Sequence, residues 1–402
     1  MSFDVGDWLH ENQHESTLLG VCPMSEEIVT ATLREAEAEA GFVPMFVATP
    51  RQVDADRGYT GWSQAELVAF VEETAEAVGY DGEYVLARDH GGPYQSTRDR
   101  GDPDVSLDEA MEYAKELFAC DLRAGFDVLH VDATEDPRTE GPLDLDAVAD
   151  RTASLIEHIE GVRERESLPA VEYEVGTEEI AGGMTETEEF ERFICLLGAK
   201  LDGIDPEVTG RVQFVVGQVG TTMNVSREND FDPGKARELL AVTDEHDCFL
   251  KIHYTDWLPV ADLERFPELG VGAANVGPEF AAAIVEGLER LEDRERRAVE
   301  GTDAEPSRFM ETIGDAAVAD APWEKFAPES LGDAERDRFA ATHRRDIAVC
   351  VGRYVLNDPD VVAARETLYG NLDDHADVAD PHERVVEAVQ GTIHRYVEAF
   401  AL

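Results

Sequence analysis

Histidine and carboxylate side chains recur in this chain where short apolar runs end: Ala87-Arg88-Asp89-His90, His130-Val131-Asp132, Gly176-Thr177-Glu178, His253-Tyr254-Thr255-Asp256, with polar ends also at Gly217-Gln218 and Asn275-Val276-Gly277. Asp89 and His90 are adjacent, so at a strand tip one can bind a metal while the other moves a proton. His130 and Asp132 are two apart on a strand and share a face, which makes them a natural acid–base or metal pair. A single histidine is more often structural. Three of them, His90, His130 and His253, ending three different runs point to metal-assisted or general acid–base chemistry.

Such residues need elements that bring strand ends together. Apolar runs at Leu18 to Cys22, Phe42 to Ala48, Tyr84 to Ala87, Phe126 to Val131, Val171 to Thr177, Val212 to Gly217, Cys248 to His253 and Gly270 to Val276 alternate with helix-like stretches. Two of those helices open on capping boxes, Ser63-Gln64-Ala65-Glu66 and Ser106-Leu107-Asp108-Glu109, whose side chains satisfy orphan backbone donors reciprocally. Eight strand–helix units predict an α/β (β/α)8 TIM barrel over residues 1–291. Its packed interior leaves only the C-terminal mouth open to a substrate. Beyond Leu291 the texture changes: 292–306 reads as a charged linker, and 307–402 as a helical extension packed on the barrel or on a neighbouring subunit.

With 43% hydrophobic residues in 402 the chain has ample core material, and its apolar runs fall short of the roughly 20 residues a bilayer span needs. The acidic start, Met1 to Asn12, lacks a signal peptide's basic region, so a soluble cytoplasmic protein is expected. Against 34 Lys and Arg stand 88 Asp and Glu, a net charge of −54. This reads as the solvated surface of a halophile, whose self-repulsion concentrated salt would relieve. It offers no basic stripe for nucleic acid. Five scattered cysteines without a C-x-x-C pair read as reduced thiols.

The motifs Gly20-Val21-Cys22, Ala48-Thr49 with Gln52-Val53, Gly58-Tyr59-Thr60-Gly61, Asp89-His90 with Gly92-Pro93, His130-Val131-Asp132-Ala133, Gly176-Thr177-Glu178 with Gly182-Gly183, His253 with Thr255-Asp256, and Val276-Gly277-Pro278 occur in one order. In that order the chain resembles the Z subunits of class II tagatose-1,6-bisphosphate aldolase, the GatZ/KbaZ type, over about residues 18 to 290 and more weakly beyond. The resemblance implies a class II aldolase barrel with a divalent metal ion, usually Zn2+, that polarises a ketose carbonyl and stabilises the enediolate. Asp89 then resembles the proton-shuttling acid, His90 the first metal ligand and His253 the last, with Glu178 as an oxygen ligand. Gln218 stands where catalytic aldolases carry another histidine, and the Gly- and Ser-rich phosphate loop expected after His253 is replaced by Tyr254-Thr255-Asp256-Trp257.

The other motif residues extend the candidate site. His130, Asp132 and Asp256 join Asp89 as catalytic candidates, and Arg51, Gln52, Tyr59, Thr60, Arg88, Gln218, Asn275 and Gly277 as substrate contacts. Arg51 and Arg88 stand where the family more often has uncharged residues, and a guanidinium suits bidentate capture of phosphate or carboxylate. By strand alternation Arg88 shares a face with His90. A description of the family as a tagatose-6-phosphate kinase finds little support, since no G-x-x-x-x-G-K-[ST] loop is present. The expected function is aldol or retro-aldol chemistry on a ketose or ketose phosphate, as aldolase or C4-epimerase. The alternative is a non-catalytic stabilising subunit of a class II tagatose-bisphosphate aldolase. Expected partners are the small-molecule sugar, a second copy of the chain, or an aldolase catalytic subunit.

Overall fold

Eight parallel strands, β1 (Leu18–Val21), β2 (Met45–Ala48), β3 (Val85–Gly91), β4 (Val128–Val131), β5 (Glu172–Gly176), β6 (Val212–Val216), β7 (Phe249–Ile252) and β8 (Ala273–Val276), close in sequence order into a barrel. This computed structural model describes residues 3–177, 184–328, 331–376 and 378–402, with backbone alone at 333 and 334. The barrel closes where Leu18 to Val21 run in register with Ala273 to Val276. Val, Leu, Ile and Ala dominate the strands, as strands buried on both faces require. Both anticipated capping boxes are formed, at Ser63–Glu66 and Ser106–Glu109.

One strand departs from simple alternation, and it is the one that carries Asp89 and His90. The pairing of β3 with β4 shifts register between Arg88 and Gly91, and His90 takes a left-handed φ of 50°. A bulky non-glycine residue held there stores strain of the kind that collects at functional sites. Just beyond, β3 passes so close to β4 that a Cβ on Gly92 would lie 1.6 Å from the Asp132 carbonyl oxygen; the motif glycine is there because nothing else fits.

The shifted register corrects the expectation for Arg88. Its side chain is fully buried on the outside of the strand, where Nε donates to Asp121 Oδ2 at 2.8 Å and Nη2 to Asp121 Oδ1 in the helix Leu107–Ala124. Nη1 donates to the carbonyls of Ala48 and Val53 at 2.7 and 2.9 Å. With all three guanidinium nitrogens bonded away from the mouth, Arg88 ties β2, β3 and a barrel helix together. Arg88→Ala should therefore cost about 3–5 kcal/mol of stability by leaving Asp121 charged and buried, read as a lowered denaturation midpoint, with sugar affinity per folded molecule unchanged.

Asp127, just ahead of β4, supplies a pH signature. Its carboxylate accepts the Leu86 backbone N–H at 2.8 Å, yet burial outweighs that bond and pushes its pKa from the usual 3.8 up to about 6. The folded state thus favours the protonated form. This contribution is complete below the unfolded pKa and disappears as pH rises through about 6. Asp127→Asn should raise the melting temperature relative to wild type by about 2 °C or more near pH 7.5, and much less near pH 4, at fixed salt.

The helix after β8, Pro278–Ala298, continues beyond Leu291, so residues 292–298 are helical where a linker was expected. Within it the fully buried Glu295 accepts hydrogen bonds from Ser307 and Asn371. The following helices, among them Phe309–Asp320, Arg344–Val351, Pro359–His375 and Pro381–Ala399, pack on this helix, and the last also on Glu26–Ala38. Extension and barrel share one hydrophobic core. Among the described residues no helix is long and apolar enough to cross a membrane.

Candidate active site

At the C-terminal ends of β3, β4, β5 and β7 the side chains of Asp89, His130, Glu174 and His253 converge, all nine-tenths or more buried. Asp89 Oδ1 is their hub: His130 Nδ1 lies 3.5 Å from it, His253 Nε2 3.7 Å and His90 Nε2 3.9 Å. Glu174 Oε1 lies 3.0 Å from His253 Nε2 and 3.4 Å from His130 Nδ1. Four ligand atoms, one from each of Asp89, His130, Glu174 and His253, fall within 4.8 Å of one another. Nitrogen and oxygen ligands about 2.0–2.2 Å from a tetrahedral cation would be roughly 3.4 Å apart, so the donor set fits a small divalent ion in both chemistry and spacing.

The surrounding bonds orient the imidazoles. His90 Nδ1 lies 2.8 Å from Asp132 Oδ2, which assigns the proton to Nδ1 and turns Nε2 toward Asp89. A histidine backed in this way by a carboxylate is a common arrangement at metal centres. His130 Nδ1 accepts the His90 backbone N–H at 3.2 Å, pinning the strained residue. Asp132 is further occupied by Gln95 Nε2 at 2.8 Å and by Thr134. His130 and Asp132 thus position His90, and neither lines the cavity.

Glu174 and Lys251 were not anticipated. Fully buried Lys251 donates from Nζ to Glu174 Oε2 at 2.5 Å. Two signals could have exposed them: Lys251 is one of only five lysines, and it stands two residues before His253 on the same strand face. Burial opposes the charge on Glu174, but Lys251 and the two neighbouring histidines prevail and lower its pKa to about 2. Asp89 is likewise desolvated, yet His90, His253, His130 and Lys251 hold its carboxyl well below the usual range. The hub is an ionised carboxylate.

A cavity of about 430 Å³ opens from this cluster. Arg51, Gln52, Tyr59, Asn275 and Gly277 line it, together with Asp89, His90, His253 and Asp256. Asn275 is buried there with both side-chain amide atoms lacking a partner, and only the absence of a Cβ at Gly20 makes room for its Oδ1. An orphaned buried amide of this kind is what a sugar hydroxyl would satisfy. Asp256 Oδ1 accepts the N–H groups of Gly277 and Glu279 at the start of the helix after β8. Burial, with Glu279 adding to it, lifts its pKa to about 7.

Other candidates fall elsewhere. Thr60 donates its hydroxyl to the Gln52 carbonyl at 2.6 Å and lies outside the cavity wall, as does Gln218, whose backbone N–H donates to Thr185. Glu178 and the Gly182-Gly183 pair lie outside the described residues. Cys22 borders the cavity, but burial and the carboxylates of Asp89 and Asp256 keep its thiol well above the ordinary pKa and therefore neutral.

The sequence matches a model of the family described as D-tagatose-1,6-bisphosphate aldolase subunit GatZ/KbaZ-like over residues 8–382. The chain is 26% identical to the GatZ subunit of that aldolase from Salmonella enteritidis, with 90% of this chain and 86% of the relative covered. Identity to the Klebsiella pneumoniae subunit is also 26%, over 91% and 86%. Among solved structures, a probable tagatose 6 phosphate kinase from Sinorhizobium meliloti superposes with a TM-score of 0.78 at 23% identity, covering 95% of this chain and all of that one. The fructose-bisphosphate aldolase of Campylobacter jejuni gives 0.51 at 13% identity, over 89% and 93%. At such identities these two likenesses concern the fold.

Proposed function

The chain belongs to the D-tagatose-1,6-bisphosphate aldolase subunit GatZ/KbaZ-like family, and from that premise we propose that it is a metal-dependent carbohydrate enzyme performing aldol or retro-aldol chemistry on a ketose or ketose phosphate. The observation that carries this reading is the buried convergence of Asp89, His130, Glu174 and His253, with His90 beside Asp89, at the open end of the barrel, next to a cavity of sugar size. His90 and His253, with Glu174 as the carboxylate, would hold a divalent cation. Such an ion supplies Lewis-acid polarisation of the ketose carbonyl.

The rest of the chemistry belongs to the chain. Asp132 and His130 hold His90 in place, and Lys251 holds Glu174. Asp89, ionised and at the hub, takes the proton of the C4 hydroxyl as the C3–C4 bond breaks and returns it when the bond re-forms. Re-addition to the same face restores the sugar. Re-addition after the aldehyde fragment has rotated gives the C4 epimer, while departure of the fragment, with the proton held by Asp89 delivered to C3 of the remaining enediolate, gives net cleavage. Asn275 and Gln52 offer hydrogen bonds to sugar hydroxyls.

Metal analysis of protein purified in concentrated salt, followed by a panel of ketoses and ketose phosphates, tests the proposal. The expected result is one divalent ion per chain, with turnover that chelation removes and the ion restores. The name of the relatives as aldolase subunits supports a second reading, a stabilising partner for a catalytic aldolase chain. A fully metal-loaded protein that turns over no sugar in the panel would favour that reading and overturn the first.

A further inference from the structure

Part of the cavity wall is built by two segments of the chain. Arg51 and Arg100 come from the loops after β2 and β3, while Lys325, Phe326, Arg353 and Tyr354 come from two short 3-10 turns, Trp323–Phe326 and Gly352–Tyr354, in the C-terminal extension. The Tyr354 ring gathers them: the Arg51 guanidinium lies 4.9 Å from its centroid and that of Arg353 4.5 Å, with Tyr59 edge-on at 5.0 Å.

What these cations lack is acid. Among the described residues Arg51, Lys325 and Arg353 form no ion pair with a carboxylate, and Arg100 has only Glu135 at 3.9 Å. The chain has 88 acidic side chains for 34 basic ones, and other buried or half-buried arginines find partners: Arg88 with Asp121, Arg211 with Glu160, Arg395 with Glu279. Arg353 is only 5% exposed, and its contacts are the Cys350 carbonyl, the Tyr354 hydroxyl at 3.2 Å and the Met223 sulfur at 3.6 Å. Burying a guanidinium without a counter-charge is costly. Converging four cations on one wall adds repulsion to that cost.

Neighbouring groups register the same field. Burial opposes ionisation of the Tyr354 phenol, yet Arg353, Arg51 and Arg100 pull its pKa below the ordinary value. Burial, then Arg100 and Arg51, push the Lys325 ammonium down. Against a net charge of −54, capture of an anionic sugar needs local positive charge of this kind.

We propose that Arg51, Lys325 and Arg353, with Arg100 beside them, form an anion subsite that holds the phosphate or carboxylate end of the ketose, so that the C-terminal extension is a working part of the site. The assignment rests on the sugar-binding reading above, but binding tests it without turnover. Phosphate and carboxylate share the chemistry the subsite recognises, and the arms of the experiment separate them.

The probes are D-tagatose 6-phosphate, the keto acid of the same carbon chain with a carboxylate at C6, and neutral D-tagatose, titrated calorimetrically into the metal-loaded protein at one fixed KCl concentration. Wild type should bind one of the two anionic sugars at least about tenfold tighter than the neutral one, and the tighter of the two identifies the anion. Arg51→Gln and Lys325→Gln, both on accessible side chains, should each weaken that sugar by about tenfold or more while leaving neutral D-tagatose within about twofold and metal content unchanged. Arg353→Gln should do the same if its melting temperature shows it folded. Equal affinity of wild type for all three sugars, or equal losses for neutral and anionic sugars in the variants, would overturn the proposal. Discrimination between sugars without turnover would retain the subsite while defeating the enzymatic reading.

Discussion

Replacing His253 by alanine is expected to empty the proposed metal centre, with a loss of affinity greater than about a hundredfold for the divalent ion and disappearance of all metal-dependent turnover. The residue is central to the cluster. Its Nε2 faces both carboxylates, 3.0 Å from Glu174 Oε1 and 3.7 Å from Asp89 Oδ1, and its ring stands against those of His90 and His130 with centroids 5.0 and 5.6 Å apart. Removing it leaves two carboxylates facing each other across a gap, with Lys251 hydrogen-bonded directly to Glu174 alone. A graded series gives the test its resolution. His90→Ala should match His253→Ala, whereas His130→Ala, which removes the acceptor of the His90 N–H, should lower affinity by about 10–100-fold, the range of a group behind a ligand. Metal content measured after dialysis against a buffered ion series reads all three. Undiminished metal in both His90→Ala and His253→Ala would sink the site.

How far the sequence alone reaches depends on which physical signal each residue leaves. All eight strands announce themselves as apolar runs, six of them with polar ends, because a parallel strand buried on both faces must be apolar until it reaches the mouth. Asp89, His90 and His253 were legible for the same reason. Arg88 was misread because alternation assumes unbroken register, and β3 shifts between Arg88 and Gly91. Arg88, still in register, points outward, and the shift beyond it leaves Asp89 and His90 both on the cluster, something no period-two pattern can encode. Glu174 and Lys251 lie inside strands, where a charged residue looks like an error in the pattern until its partner on a strand two positions away in the barrel is known. Lys325 and Arg353 were invisible for another reason. They follow the barrel by tens of residues, and only packing of the extension on the helix Pro278–Ala298 brings them over the mouth.

Asp89→Asn should leave the metal in place and cost about 10²–10⁴-fold in turnover, the range for a positioned proton-transfer group. The substitution is nearly isosteric, so the closeness of Asp89 Oδ1 to His130, His253 and His90 survives, but the amide can neither carry the negative charge nor accept a proton at ordinary pH. The wild-type carboxylate is held ionised by its neighbours despite burial, which makes it a base in the resting site. Three outcomes divide the roles. Retained metal with collapsed kcat assigns Asp89 to proton transfer. Loss of metal together with activity makes it a ligand, consistent with its membership of the four-donor group, and transfers the proton step to another residue. Metal content and rates equal to wild type would leave Asp89 as a structural anion that merely balances the imidazoles. The first outcome is the one expected, because His90, His253 and Glu174 would supply three donors to a bound cation without Asp89.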